Sequence, residues 1–200
     1  MKTDSDTHKR MTQRHKEGFE KKKAAAQNEK GLLIVYTGTG KGKSTAAFGM
    51  GLRILGHEMK LGVVQFIKGA LHSAERNVLG SNPNCDFHVV GAGYTWNTQD
   101  RAADMATAAK GWAEAVRMIN DPDYDMVILD EMNIVLKYQY LDLAGVLAAF
   151  GNRRKMLHIV VTGRHAPQEL IDLADLVSDI RPVKHPYQEQ GIKAQKGVEF

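Results

Sequence analysis

From Gly31 onward, apolar runs alternate with segments of helical spacing. The runs are Leu32–Thr37, Leu61–Ile67, Phe87–Val90, Met126–Asp130 and Leu157–Thr162, with a weaker sixth at Leu176–Ile180. Helices are expected between them, near Ser44–Leu55, Asp100–Ile119, Leu141–Phe150 and Pro167–Ala174. Runs that are apolar at nearly every position belong to strands buried on both faces. The pattern therefore predicts an α/β fold, a mostly parallel sheet of about six strands with helices on both faces. Within the longest helix, Met105, Ala109, Trp112, Val116 and Ile119 share one face by helical spacing, which makes Trp112 a core residue.

Residues 1–30 break the pattern. They carry few large apolar side chains, chiefly Phe19, and read as a charged arm, disordered or marginally helical. The net charge of +4 lies entirely there, with nine Lys/Arg against five Asp/Glu, whereas residues 31–200 hold eighteen of each. A neutral body lacks the broad basic face of a duplex-binding domain, so no nucleic-acid partner is expected. The arm is either a solvated tail or a segment that folds over an anionic ligand. Cys85 is the single cysteine, which excludes an internal disulfide framework and fits a cytoplasmic location. No segment approaches the roughly 18 consecutive apolar residues of a membrane span, and no membrane partner is expected.

In a parallel sheet, ligands bind beyond the carboxyl ends of the strands. The unusual polar residues gather at those ends: Thr37–Thr45 after the first strand, Gln65–Lys68 after the second, Gly91–Trp96 after the third, Asp130-Glu131 after the fourth and Thr162-Gly163-Arg164 after the fifth. The first group, Thr37-Gly38-Thr39-Gly40-Lys41-Gly42-Lys43-Ser44-Thr45, joins a strand to a helix and ends in Gly-Lys-Ser. Such a loop turns successive backbone N–H groups, and the positive end of the helix, toward phosphate oxygens. Lys43 would add a point charge, and the Ser44 hydroxyl a ligand for the accompanying magnesium ion. The strict pattern G-x-x-x-x-G-K-[ST] has glycine where this chain has Thr37. An ordinary glycine-rich turn would not explain two lysines and a Ser-Thr pair in one loop, so the body is read as a P-loop nucleotide-binding domain.

Asp130 and Glu131 end an apolar strand as acids do beside the metal of phosphoryl-transfer enzymes. Asp130 would hold the ion directly or through water. Glu131 could position water, bind metal or bind ribose; a solvated strand end is the plainer alternative for both. Tyr94 and Trp96 lie among glycines and polar residues, outside any amphipathic pattern. They offer a flat surface for a large planar ligand, or else fold inward. Arg53 and Arg164 are candidate phosphate clamps, Arg164 the better placed because it follows a strand. The histidines fall in unlike contexts and suggest no metal site.

Taken with Val64–Gly69, Glu75-Arg76-Asn77, Arg181–His185 and Gly191–Gly197, these motifs closely resemble the P-loop type of ATP:corrinoid adenosyltransferases, from about Gly31 to the C-terminus. Thr37 is also how that family's loop reads. The resemblance implies transfer of the 5′-deoxyadenosyl group of ATP to the Co(I) of a reduced corrinoid, with release of inorganic triphosphate, in cobalamin biosynthesis. It implies ATP bound in the reverse of the usual P-loop orientation, Gly38–Thr45 on the triphosphate, and Mg²⁺ or Mn²⁺ served by Ser44 with Asp130 or Glu131. Catalytic weight then falls on Lys43 and Glu131, while Tyr94 and Trp96 face the corrin. A homodimer, an N-terminal arm covering the corrinoid and a flavoprotein reductant are implied as well. A kinase or ATPase releasing ADP, or a nucleotide-dependent regulatory module using the basic arm, are the competing readings of the same residues.

Overall fold

The computed structural model describes residues 4–67, 74–90 and 100–199. Met1–Lys30 and Gly31–Phe200 form two compact units. The first contains a helix, α1 (Asp4–Ala25). Its Lys, Glu, Gln, Arg and Ala residues are strong helix formers. Gln13 Nε2 donates to Glu17 Oε1 at 2.8 Å, and Lys22 and Lys23 sit in the last turn, where the exposed carbonyls favour positive charge. Met11 and Phe19 are its exposed large apolar side chains.

The second unit runs β1 (Leu33–Thr37), α2 (Lys43–Leu55), β2 (Leu61–Gln65), α3 (Ala74–Gly80), β3 (Cys85–Val89), α4 (Arg101–Asn120), β4 (Met126–Asp130), α5 (Met132–Lys137), α6 (Leu143–Gly151), β5 (His158–Thr162), α7 (Gln168–Leu173), β6 (Leu176–Asp179) and α8 (Pro186–Gln190). Its six strands form one sheet in the order β3-β2-β4-β5-β1-β6, parallel throughout. The six apolar runs thus become the six strands, shorter by one or two residues at some ends, with β3 starting two residues earlier, at Cys85. Helices α3, α5 and α8 arise where sequence spacing predicted none; each is too short to show a helical period.

Successive strand residues point to opposite faces, and each face has its own core. Ile34, Val63, Ile128 and Val160 pack with Ala47, Phe48, Ile54 and Leu55 of α2 and Leu79 of α3. Leu33, Val35, Val64, Val127, Leu129, Ile159 and Val161 pack on the other side with α4–α7. Helix α4 meets the sheet through Ala108, Gly111, Ala115, Met118 and Ile119. This corrects the expected face, since Met105 and Ala109 are exposed and Trp112 is only half-buried, its ring edge-on to Phe150 at 5.9 Å. The cause is close approach: a Cβ at Gly111 would come within 2.7 Å of Val90 and 2.8 Å of Phe66. Small residues mark the contact face, and hydrophobicity alone mis-set its phase.

At the amino end of β5, His158 Nδ1 accepts the Leu32 N–H at 3.1 Å. Burial, the largest influence, holds its pKa below the usual histidine value. Burial likewise pushes the Cys85 thiol up to about 11. No helix among the described residues is long and apolar enough to cross a membrane.

Candidate active site at the carboxyl edge of the sheet

Polar residues close the inner strands in register. Gln65 pairs with Asp130 across β2 and β4, Tyr36 with Thr162 across β1 and β5, and Thr37 with Asp179 across β1 and β6. Because β5 lies between β1 and β4, the end of β5 bridges the phosphate loop and the acidic turn.

The loop between β1 and α2 is held from below by the end of β6. Gly40 N–H donates to Ile180 O at 2.7 Å, and Ile180 N–H to Thr37 O at 2.9 Å. Gly38 adopts φ 98°, and a Cβ there would run into Asp179 and Ile180. Only glycine suits that position. Gly42, with φ 105°, is the N-cap of α2 and provides no side-chain cap, and the first turn of α2 carries no acidic residue. The helix therefore opens with N–H donors and positive potential uncompensated by a side chain, as an anion site requires. Lys43 is buried, its Nζ donating to Gly40 O at 2.6 Å inside the loop's own curve. Ser44 is half-buried in the first turn; Thr39, Lys41 and Thr45 are exposed, and Lys41 pairs with Glu199.

Thr37, the departure from the strict motif, has a structural task. Its backbone needs no positive φ, which belongs to Gly38, and its Oγ1 accepts the Ala166 N–H at 3.2 Å. The hydroxyl thus ties the turn after β5 to the start of the phosphate loop.

Asp130 is fully buried at the end of β4. Its Oδ1 accepts from Thr162 Oγ1 at 2.7 Å and its Oδ2 from Gln65 Nε2 at 2.8 Å. Both carboxylate oxygens are engaged and enclosed, which braces Asp130 between β2 and β5. Glu131 follows in the left-handed region, φ 62° and ψ 18°, as the N-cap of α5. Its N–H donates to Thr162 Oγ1 at 2.9 Å. Its carboxylate lies over Gly163, where a Cβ would come within 3.3 Å of Oε2. Asn133, fully buried, donates from Nδ2 to Gly163 O at 2.9 Å.

The structure brings together Gly38–Thr45, Asp130 and Glu131 at one sheet edge. Arg164 is exposed in the turn that follows, beside His165 at φ 60°. Arg53 is not brought there: it is exposed in the last turn of α2, about 15 Å along the helix axis from Lys43. A surface role replaces its expected phosphate contact. Tyr94 and Trp96 lie outside the described residues. Among residues that sequence reasoning missed, Asn133 left a signal, being a lone polar side chain inside the apolar run Met132–Leu136. The bonding of Gln65 and Thr162 to Asp130 left none, because it depends on which strands are neighbours.

Comparison with known proteins adds the chemistry. The family model of ATP:corrinoid adenosyltransferase BtuR/CobO/CobP matches residues 29–200. The chain belongs to that family. It is 50% identical over 196 residues to the corrinoid adenosyltransferase of Pseudomonas aeruginosa, covering 94% of this chain and 96% of that one. Identity to the corrinoid adenosyltransferase of Escherichia coli K12 is 43% over 195 residues, with 98% of each chain covered. Among solved structures, the flagellar accessory protein FlaH of Methanocaldococcus jannaschii superposes with a TM-score of 0.50 at 16% identity, over 76% of this chain and 71% of that one. That likeness concerns the fold alone.

Proposed function

We propose that the carboxyl-edge site carries out the family's reaction, the transfer of the adenosyl group of ATP to the cobalt of a reduced corrinoid. The observation that carries the reading is the uncapped N-terminus of α2, wrapped by a loop with a buried lysine, beside a braced acidic turn. Cob(I)alamin is itself the nucleophile, so no side chain has to be activated as one. The protein positions the two substrates and stabilises the charge that builds on the leaving triphosphate.

Backbone N–H groups from Gly38 to Thr45 hold the triphosphate, and Lys43 adds its ammonium to the oxygens that gain charge as the ribose C5′–O bond breaks. Gly38 and Gly40 let the backbone approach closely because Ile180 fills the space where their side chains would lie. The hydroxyl of Ser44 and the carboxylate of Glu131 are hard oxygen donors that suit Mg²⁺ or Mn²⁺. No group of three or more His, Cys, Asp or Glu among the described residues forms a metal cage by itself. Ser44 and Glu131 would therefore share the ion with phosphate oxygens. When bound, it would neutralise part of the triphosphate charge.

Arg164, exposed in the turn after β5, meets a phosphate entering from solvent in the same reading. Tyr94 and Trp96 face the corrin in this reading and shield cobalt from water. In the same reading residues 1–30, with Phe19 as the apolar anchor, cover the corrinoid in a homodimer, and a flavoprotein supplies the electrons.

Competition tests the site. Inorganic triphosphate should inhibit competitively with ATP and more strongly than pyrophosphate, because the loop holds the entire leaving group. Inhibition by ADP alone, with triphosphate inert, would point to ordinary phosphoryl transfer.

A further inference from the structure

We infer that Thr162 is a positioning residue for the reaction, acting through Glu131. This rests on the reading of Glu131 given above. The Thr162 side chain is fully buried, yet its hydroxyl does two things at once: it donates to Asp130 Oδ1 at 2.7 Å and accepts the Glu131 N–H at 2.9 Å. Asp130 is in turn fixed from the far side by Gln65 Nε2 at 2.8 Å, and Gln65 is itself buried. A continuous chain of hydrogen bonds thus crosses three adjacent strand ends, β2, β4 and β5. A carboxylate on one side and a backbone N–H on the other leave the hydroxyl proton a single direction.

The group at the end of this chain needs holding. Glu131 sits at φ 62°, which side chains other than glycine seldom adopt unless the surroundings impose it. The residue after Thr162, Gly163, lies under the Glu131 carboxylate, and its carbonyl takes the Asn133 amide at 2.9 Å. The end of β5 therefore grips the acidic turn at both Glu131 and Asn133. Three residues beyond Gly163, the Ala166 N–H reaches Thr37 of the phosphate loop. The same short segment sets the acidic turn and the loop relative to each other, and Thr162 is the side chain through which the acid is aimed.

Thr162→Val keeps the shape and removes both hydrogen bonds; Thr162→Ser keeps the hydroxyl. Thr162→Val should lower kcat roughly tenfold to a hundredfold, the scale of a misplaced catalytic group, with the KM for ATP changed by less than about threefold. It should also weaken the Mg²⁺-dependent gain in ATP binding measured by calorimetry without corrinoid. Thr162→Ser should recover most of both. In a cycle with Glu131→Gln, the double variant should be little slower than Glu131→Gln alone, since Thr162 acts through that carboxylate. Additive losses, or a Thr162→Val enzyme with wild-type kcat and Mg²⁺ response, would overturn the proposal. A Glu131→Gln enzyme with normal turnover would instead remove the role given to Glu131. If Thr162→Val does not fold, Thr162→Ala carries the same comparison.

Discussion

Lys43 shows how one side chain serves both structure and chemistry. Its ammonium is already enclosed by the loop through Gly40 O, so in the proposed role it would meet phosphate without the entropy cost of ordering a free lysine. Lys43→Ala should lower kcat/KM by about 10²–10³, the range for losing one donor to developing charge, as steady-state kinetics on the folded variant will show. Thr37 makes the opposite case. Replacing it by glycine restores the strict motif but removes the bond to Ala166 and adds backbone freedom at a strand end. Thr37→Gly should cost about 1.5–2 kcal/mol of stability, read from urea denaturation midpoints, rather than improve the enzyme. Glycines, lysine and acids announced their site in the sequence because phosphate binding needs those residue types at fixed spacing. Asn133 showed only as a lone polar position in an apolar run and Thr162 only as a polar strand end, because what each buried side chain holds depends on partners 30 and 32 residues away.

At the scale of elements, the four inner strands β1, β2, β4 and β5 were legible because they are buried on both faces and almost wholly apolar, whereas β3 and β6 at the sheet edges are more exposed and more polar. The face of α4 was not legible, because three of its five contact residues, Ala108, Gly111 and Ala115, are small and carry little hydrophobic signal. The distinction can be measured at Gly111. Alanine is better than glycine in a helix by about 1 kcal/mol, yet a methyl group here meets Val90 and Phe66 at under 3 Å. Overpacking of that kind costs typically about 1–3 kcal/mol. Gly111→Ala should therefore lower the thermal midpoint, whereas Gly49→Ala in α2, with nothing within 4 Å of its Cβ, should raise it. The short helices α3, α5 and α8 escaped the sequence pattern because their five to seven residues hold too few turns to reveal a period.

At the scale of the whole molecule, His158 links stability to pH near neutrality. Burial favours its neutral form, and Nδ1 must stay unprotonated to accept the Leu32 N–H. Its folded-state pKa lies below its unfolded value, so its contribution is complete above about pH 6.5. That contribution is lost as pH falls through the lower, folded value. Urea midpoints should drop between pH 7.5 and 5.5, and His158→Gln should show a flatter profile over that range. The order of strands around β5 was hidden from sequence, because apolar runs do not say which run lies beside which. That order is what joins the phosphate loop to the acidic turn and makes one site of two motifs. Its chemistry is tested most directly by the products formed from ATP, Mg²⁺ and a chemically reduced corrinoid. Adenosylated corrinoid and inorganic triphosphate should form in equal amounts, whereas ADP and phosphate beside unmodified corrinoid would rule out adenosyl transfer at this site.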